Sequence, residues 1–182
     1  MTFPLIINNS IRCTFWFSPI VLSSNIQTLP TLHSKMTTLY PSAEQVPSLW
    51  FPLAKKFYQA HYPSGKPNKA DPIWVVRDKG GILTAVRLKP CSGAQLLTAM
   101  VTEPSHRNMG LGSHLISSIH PALSVMPSYC FALTHLVSFY SANHFTVVSV
   151  EMLPEELASR FSAYTAQGRN LTPMRYHRVE KS

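Results

Sequence analysis

The sequence predicts a single mixed α/β domain, on three observations: a β-hairpin pattern, an alternation of short apolar strands with helical periodicity after it, and a strand-to-helix junction carrying glycines at alternate positions. A chain of 182 residues suits one such domain. Its 45% hydrophobic content is ordinary for a globular protein. No apolar run reaches the roughly 18 residues that a membrane-spanning helix needs. Sixteen Lys and Arg against eight Asp and Glu give a net charge of +8, which favours anionic partners: nucleic acid, phospholipid headgroups or a polyphosphate cofactor. The basic residues are scattered (Lys55 and Lys56, Lys66 and Lys69, Arg175 and Arg178), so neither a nucleic-acid arm nor a membrane partner is expected. Cys13, Cys91 and Cys130 form neither an even set nor a metal-ligand spacing. They are read as packing residues of a cytoplasmic protein without metal.

Residues 1–35 contain no Asp or Glu, and their apolar stretch over 15–22 is broken by Pro19. A poorly structured extension is expected there rather than a secretory signal, with the domain proper over 36–182. Ser42 with Gln45 forms a possible capping box, and Leu49, Trp50, Leu53, Phe57 and His61 recur at helical spacing, with Pro52 as a kink or restart. Four Pro and Gly positions (Pro63, Gly65, Pro67, Pro72) mark a loop before a hairpin over 73–77 and 82–89, turning at Asp78-Lys79-Gly80-Gly81. A strand over 94–102 then leads into a helix over 110–120. A strand over 129–134, a helix over 136–142 and a strand over 145–152 follow. Pro154 suits a first helical turn, and Leu157, Phe161 and Tyr164 continue that helix. The closing strand, 171–178, contains Pro173 and is therefore expected at an edge or bulge.

The chemistry is concentrated in the turn Arg107-Asn108-Met109-Gly110-Leu111-Gly112, which precedes a helix with apolar Leu111, Leu115, Ile116 and Ile119. Alternate glycines let a backbone approach its ligand closely, and successive N–H groups at a helix start make a concave positive site. A pyrophosphate cradle is the expected result. A dinucleotide site would carry a third glycine and follow the first strand of a βαβ unit, so NAD is disfavoured.

The R-x-x-G-x-G of residues 107–112, set between a strand and an amphipathic helix, resembles the acyl-CoA-binding motif of the GNAT superfamily. Phe139-Tyr140 followed by Phe145 resembles the recurring F-Y-x-x-x-G-F of that family, and residues 168–176 its usual last strand. Residues 37–41 resemble its usual first strand, which leaves 1–35 open to being an artefact of start-codon choice. The resemblance covers nearly all of 36–182. It implies a GNAT fold: a mostly antiparallel sheet of about six or seven strands, splayed between the fourth and fifth and flanked by about four helices. It implies an N-acetyltransferase, passing an acetyl group from acetyl-CoA to a primary amine by direct attack.

The resemblance further implies that pantetheine runs along Met100, Val101 and Thr102. The diphosphate would sit on Arg107, Asn108, Met109, Gly110, Leu111, Gly112 and Ser113. Tyr140 matches the family's common general acid. Glu103, the carboxylate nearest the strand end, is a weak candidate base, with water as the substitute; His135 and His144 are further candidates because imidazole suits proton transfer. Two departures stand out. His144 replaces the family's glycine, so Asn143 is expected to take the left-handed helix-ending role, and Leu133-Thr134-His135 offers no counterpart to an asparagine that often holds pantetheine. The acceptor, a small-molecule or peptide amine, would be chosen by residues 50–74 and 152–168 in a monomer or homodimer. A non-catalytic acyl-CoA-binding regulatory domain and a basic nucleic-acid-binding domain are the competing readings.

Overall fold

The computed structural model describes residues 40–177. The expected extension over 1–35 lies outside them, as does the expected strand over 37–41 except for Tyr40 and Pro41, which are not in a strand. Strands β1 (Glu44–Gln45), β2 (Ile73–Arg77), β3 (Ile82–Cys91), β4 (Ala94–Thr102), β5 (Ser128–Leu133), β6 (Phe145–Val147) and β7 (Leu171–Tyr176) form one sheet in the order β1-β2-β3-β4-β5-β7-β6. Every pairing is antiparallel except β4 with β5. At the β2–β3 turn, the Asp78 carboxylate accepts from the amides of Gly80 and Gly81, at 2.7 and 3.1 Å.

Strand alternation sends Val76, Val86 and Leu88 to one face, where they meet Leu111, Leu115 and Ile116 of α2 (Leu111–Ser118). On the other face, Val75 and Ala85 meet Ala54, Phe57 and Tyr58 of α1 (Phe51–His61). Further along that face, Ala94, Leu96 and Tyr129 meet Leu157 and Phe161 of α5 (Glu155–Ala166). Leu115 is fully buried, and truncating such a side chain to alanine costs about 2–5 kcal/mol.

Several boundaries depart from expectation for local reasons. The capping box does not form, because Gln45 is in β1 and α1 starts after a 3-10 turn at Ser48–Trp50, with Pro52 in its first turn. Pro52 is a restart, placed where a missing N–H costs nothing. The buried stripe is Ala54, Phe57 and Tyr58; Leu49 and Leu53 are 84% and 47% exposed, since Leu49 precedes the helix and does not share its periodicity. Helix α2 stops at Ser118 because Pro121 has no N–H to continue the ladder, and it opens α3 (His120–Leu123) instead. Strand β6 ends at Val147, well short of 152, and a 3-10 turn at Val150–Met152 follows.

Strand β7 is not at an edge, contrary to the expectation from Pro173, because it lies between β5 and β6. Pro173 accepts from the Val148 amide at 3.1 Å, so its imide nitrogen also faces β6. There the reciprocal bond is missing, and the β6 ladder ends at Val147. Toward β5, Pro173 occupies a position that needs no N–H.

Candidate active site

Strands β4 and β5 pair only through Gln95–Ser128, Leu96–Tyr129 and Leu97–Cys130. Beyond Leu97, β4 runs on to Thr102 beside β3 alone, while β5 continues against β7. A gap opens between them. A bulge in β4 lies at its mouth: Arg87 pairs with Thr98 but Ala85 pairs with Val101, so one extra residue of β4 is accommodated, with Ala99 at φ 51°. The Tyr58 hydroxyl donates to the Ala99 carbonyl at 2.9 Å, and burial raises that phenol's pKa, keeping it a donor.

A cavity of about 560 Å³ occupies the gap on the α2 side. Met100, Val101, Thr102, Arg107, Asn108, Gly110, Leu111, Gly112 and Ser113 line it, whereas Met109 is 41% exposed and is not on its wall. Asn108 and Gly110 take left-handed backbone, with φ of 61° and 78°, which curls the turn into the start of α2. The amides of Leu111, Gly112 and Ser113 lie in the first turn, without intrahelical acceptors and at the positive end of the helix dipole. Arg107 is held beside them by donation from Nε to the Thr102 carbonyl at 3.3 Å. A Cβ on Gly112 would come within 3.1 Å of both Met100 Cε and Phe139 Cζ. The glycine therefore lets α2 approach β4 and α4 (Val137–Ala142) closely. These features fit a diphosphate-bearing ligand.

A second cavity, of about 340 Å³, lies on the α1 and α5 side. Tyr62, Ser64 and Gly65 reach it from the loop after α1, Tyr164 from α5 and Arg169 from the segment after α5. Arg87 and Thr98 line it from β3 and β4. The two cavities share Tyr62, Met100, Leu136 and Tyr140 as wall residues. Tyr140 is 8% exposed, its hydroxyl directed at Met100 Sδ at 3.9 Å, and burial drives its phenol pKa far above the usual tyrosine range. The protonated form prevails.

The other candidates are dispersed. Glu103 lines an adjoining depression with Lys56, His61 and His106; the two histidines also line the larger cavity, and the Glu103 carboxylate lies 3.1 Å from His106 Nδ1, but Glu103 itself is on neither wall that includes Tyr140. His135 is on the wall of the larger cavity, within the 3-10 turn Thr134–Leu136. His144 lines neither cavity that meets Tyr140. His144 itself, not Asn143, adopts the left-handed backbone, at φ 65° against −111° for Asn143. Asn143 is instead buried, donating from Nδ2 to the Phe139 carbonyl at 2.7 Å and to Ser113 Oγ at 3.1 Å. That amide ties the end of α4 to the start of α2. Sequence reasoning missed Arg87 and Arg169. The signal for Arg87 was available, an arginine set within an otherwise apolar strand; Arg169 carried none beyond its place next to a helix end. Among the described residues, no group of three or more His, Cys, Asp or Glu is placed to hold a metal, and no helix is long and apolar enough to cross a membrane.

The sheet splayed between β4 and β5, with a glycine turn leading into the following helix, is that of the GNAT fold. Residues 69–147 match the family described as "Acetyltransferase (GNAT) domain", and the chain carries a GNAT domain. No curated protein matches it by sequence. Among solved structures, it is similar to Neisseria gonorrhoeae N-acetylglutamate synthase complexed with coenzyme A and N-acetyl-glutamate, at 16% identity and a TM-score of 0.57 over 76% of this chain and 35% of that one. The chain thus spans about a third of that protein. It is also similar to a Mycobacterium tuberculosis protein, Rv2747, in complex with CoA and NLQ (13% identity, TM-score 0.59, 76% of this chain and 100% of that one). A third likeness is to Arabidopsis thaliana Naa50 in complex with the bisubstrate analogue CoA-Ac-MVNAL (16% identity, TM-score 0.53, 75% and 97%). At these identities the likeness is one of fold.

Proposed function

We propose that this protein is an N-acetyltransferase that takes acetyl-CoA in the larger cavity and a primary amine in the smaller one. The observation that carries this reading is their common wall at Tyr140. Arg107 and the amides of Leu111, Gly112 and Ser113 hold the diphosphate, and the β4 backbone at Met100, Val101 and Thr102 holds the pantetheine arm. Acetyl-CoA supplies the acetyl thioester. Tyr140 carries a proton at Oη and gives it to the departing thiolate as the amine attacks the carbonyl. Burial keeps its phenol protonated over the working pH range, so the proton to be donated is present at Oη. Leu136, Phe139 and Met100 exclude water from this wall. Neighbours of the same fold crystallised with an acetylated amino acid and with a peptide-bearing bisubstrate analogue, which supports an amine acceptor of small or peptide form.

The competing reading, a domain that binds acyl-CoA without turnover, draws on one observation: among the described residues no carboxylate lines either cavity that meets Tyr140, where it could act as a base. Water at the smaller cavity takes that part in the transferase reading. Free-thiol release from acetyl-CoA across a panel of primary amines separates the two. Release with at least one amine supports transfer, and calorimetric binding of acetyl-CoA with no release from any amine supports the binding domain.

A further inference from the structure

We propose that the smaller cavity selects acceptors bearing a carboxylate beside their amine, an inference that rests on the transferase reading and names its substrate class. The sheet face covered by α1 and α5 carries two apolar clusters, one under each helix. Between them sit the cross-strand partners Arg87 and Thr98. An arginine placed there, in a strand whose residues from Ile82 to Leu88 are otherwise buried, must be desolvated and then compensated. The compensation is incomplete. Asp71 Oδ2 stands 3.3 Å from Arg87 Nε, but Nε is buried without an aligned hydrogen-bond acceptor. Nη1 donates to the carbonyls of Lys66 at 2.8 Å and Gly65 at 3.3 Å, which pins the loop after α1. Among the described residues Nη2 makes no hydrogen bond.

Arg169 adds a second guanidinium to the same cavity, 5.3 Å from the ring centre of Tyr164, and no carboxylate pairs with it among the described residues. The charged side chains on the cavity wall are these two arginines. Asp71 offsets the charge of Arg87, so the net positive charge at the wall is that of Arg169, and it repels a simple ammonium. An amine that brings its own carboxylate is attracted, because the planar guanidinium fork matches a carboxylate in a bidentate, charge-assisted bond. The same positive field lowers the pKa of the incoming ammonium and so favours the neutral, nucleophilic amine. Attraction of the acid and activation of the amine thus come from one pair of residues. A volume of about 340 Å³ suits an acceptor of amino-acid size.

The test separates acceptor recognition from turnover. Calorimetry with CoA present measures the binding of N-acetyl-α-amino acids, the products of such a reaction, against their carboxamides. The wild-type protein is expected to bind the carboxylates about tenfold or more tightly, as a lost charged hydrogen bond implies. In Arg169→Gln that preference falls to about twofold or less while CoA affinity holds. Arg87→Gln should reduce it as well, but this variant also releases the Gly65–Lys66 loop, so the exposed Arg169 carries the decision. Equal binding of acid and amide, no binding of either, or an undiminished preference in Arg169→Gln overturns the proposal. Thiol-release assays run beside it keep the two readings apart. Neutral amines acetylated as fast as amino acids refute the carboxylate class and leave the transferase standing; a carboxylate preference without release from any amine does the reverse.

Discussion

Tyr140 holds a phenol between two cavities, its hydroxyl directed at a thioether as its one hydrogen-bond partner among the described residues, and this isolation makes its contribution measurable. Tyr140→Phe removes the hydroxyl and leaves the ring against Phe139 and Phe145. Acetyl-CoA affinity should stay within about twofold while turnover falls about 100-fold, the size of a lost general acid. Single-turnover mixing is the right measurement, since slow product release would mask the chemical step, and a rate within twofold of wild type would remove Tyr140 from the mechanism. His144 permits a test of stability rather than activity. A β-branched residue fits its left-handed backbone poorly, so His144→Val should lose about 1–2 kcal/mol in urea denaturation, and His144→Gly should match or exceed the wild type. Equal midpoints for all three proteins would show that the left-handed turn is not maintained in solution.

On the proposed reading, the start of α2 is the element on which ligand binding turns. Gly110 is its left-handed N-cap, and a Cβ at Gly112 would crowd Met100 and Phe139 at 3.1 Å, so that both must shift to admit a side chain. Gly112→Val would therefore disturb packing along with binding, which makes it a poor probe. Gly110→Ala is milder: it costs about 1 kcal/mol for the strained φ, and at least tenfold in acetyl-CoA affinity if the cradle amides are displaced. Calorimetry on the folded variant reads this directly, and unchanged affinity would place the diphosphate elsewhere. This element was legible in the sequence because its glycines answer a local need of the backbone. So was β4, expected over 94–102 and found at Ala94–Thr102. What stayed hidden depended on the pairing of distant segments. Pro173 reads as an edge signal, yet its imide meets the point where β6 stops, and only the strand order reveals that. The Glu103 case is similar: proximity along the chain to the strand end says nothing of which depression its carboxylate faces. Arg87 acquires meaning only once α1 and α5 are seen to leave a polar gap between their clusters.

Across the whole molecule, burial raises the phenol pKa values of Tyr58 and Tyr140, and that of Tyr176 as well. In the unfolded chain these groups ionise near pH 10, whereas in the folded domain they hold their protons to higher pH. The stability they confer is complete below about pH 10 and is lost as pH rises from there through the raised folded values. Of the seven tyrosines, the phenolate absorbance of these three should therefore appear together with loss of circular dichroism; more than four phenolates formed in advance of unfolding would show these rings to be open to solvent. The three-residue contact between β4 and β5 governs the sheet on the same scale. It leaves two leaves, β1 to β4 and β5 with β7 and β6, whose direct backbone bonding is confined to one short seam. A ligand laid along Met100 to Thr102 and against Tyr140 would join the first leaf to α4, whose Tyr140 packs on Phe145 of β6, and so act as a clasp. Saturating acetyl-CoA at about 100 times its dissociation constant should add about 2.7 kcal/mol to the unfolding free energy. It should also slow deuterium uptake at the Gln95 amide, which donates across the seam to the Pro127 carbonyl. On the proposed reading, the opening that admits the cosubstrate is also the weakest seam of the sheet, so occupancy and rigidity are expected to rise together.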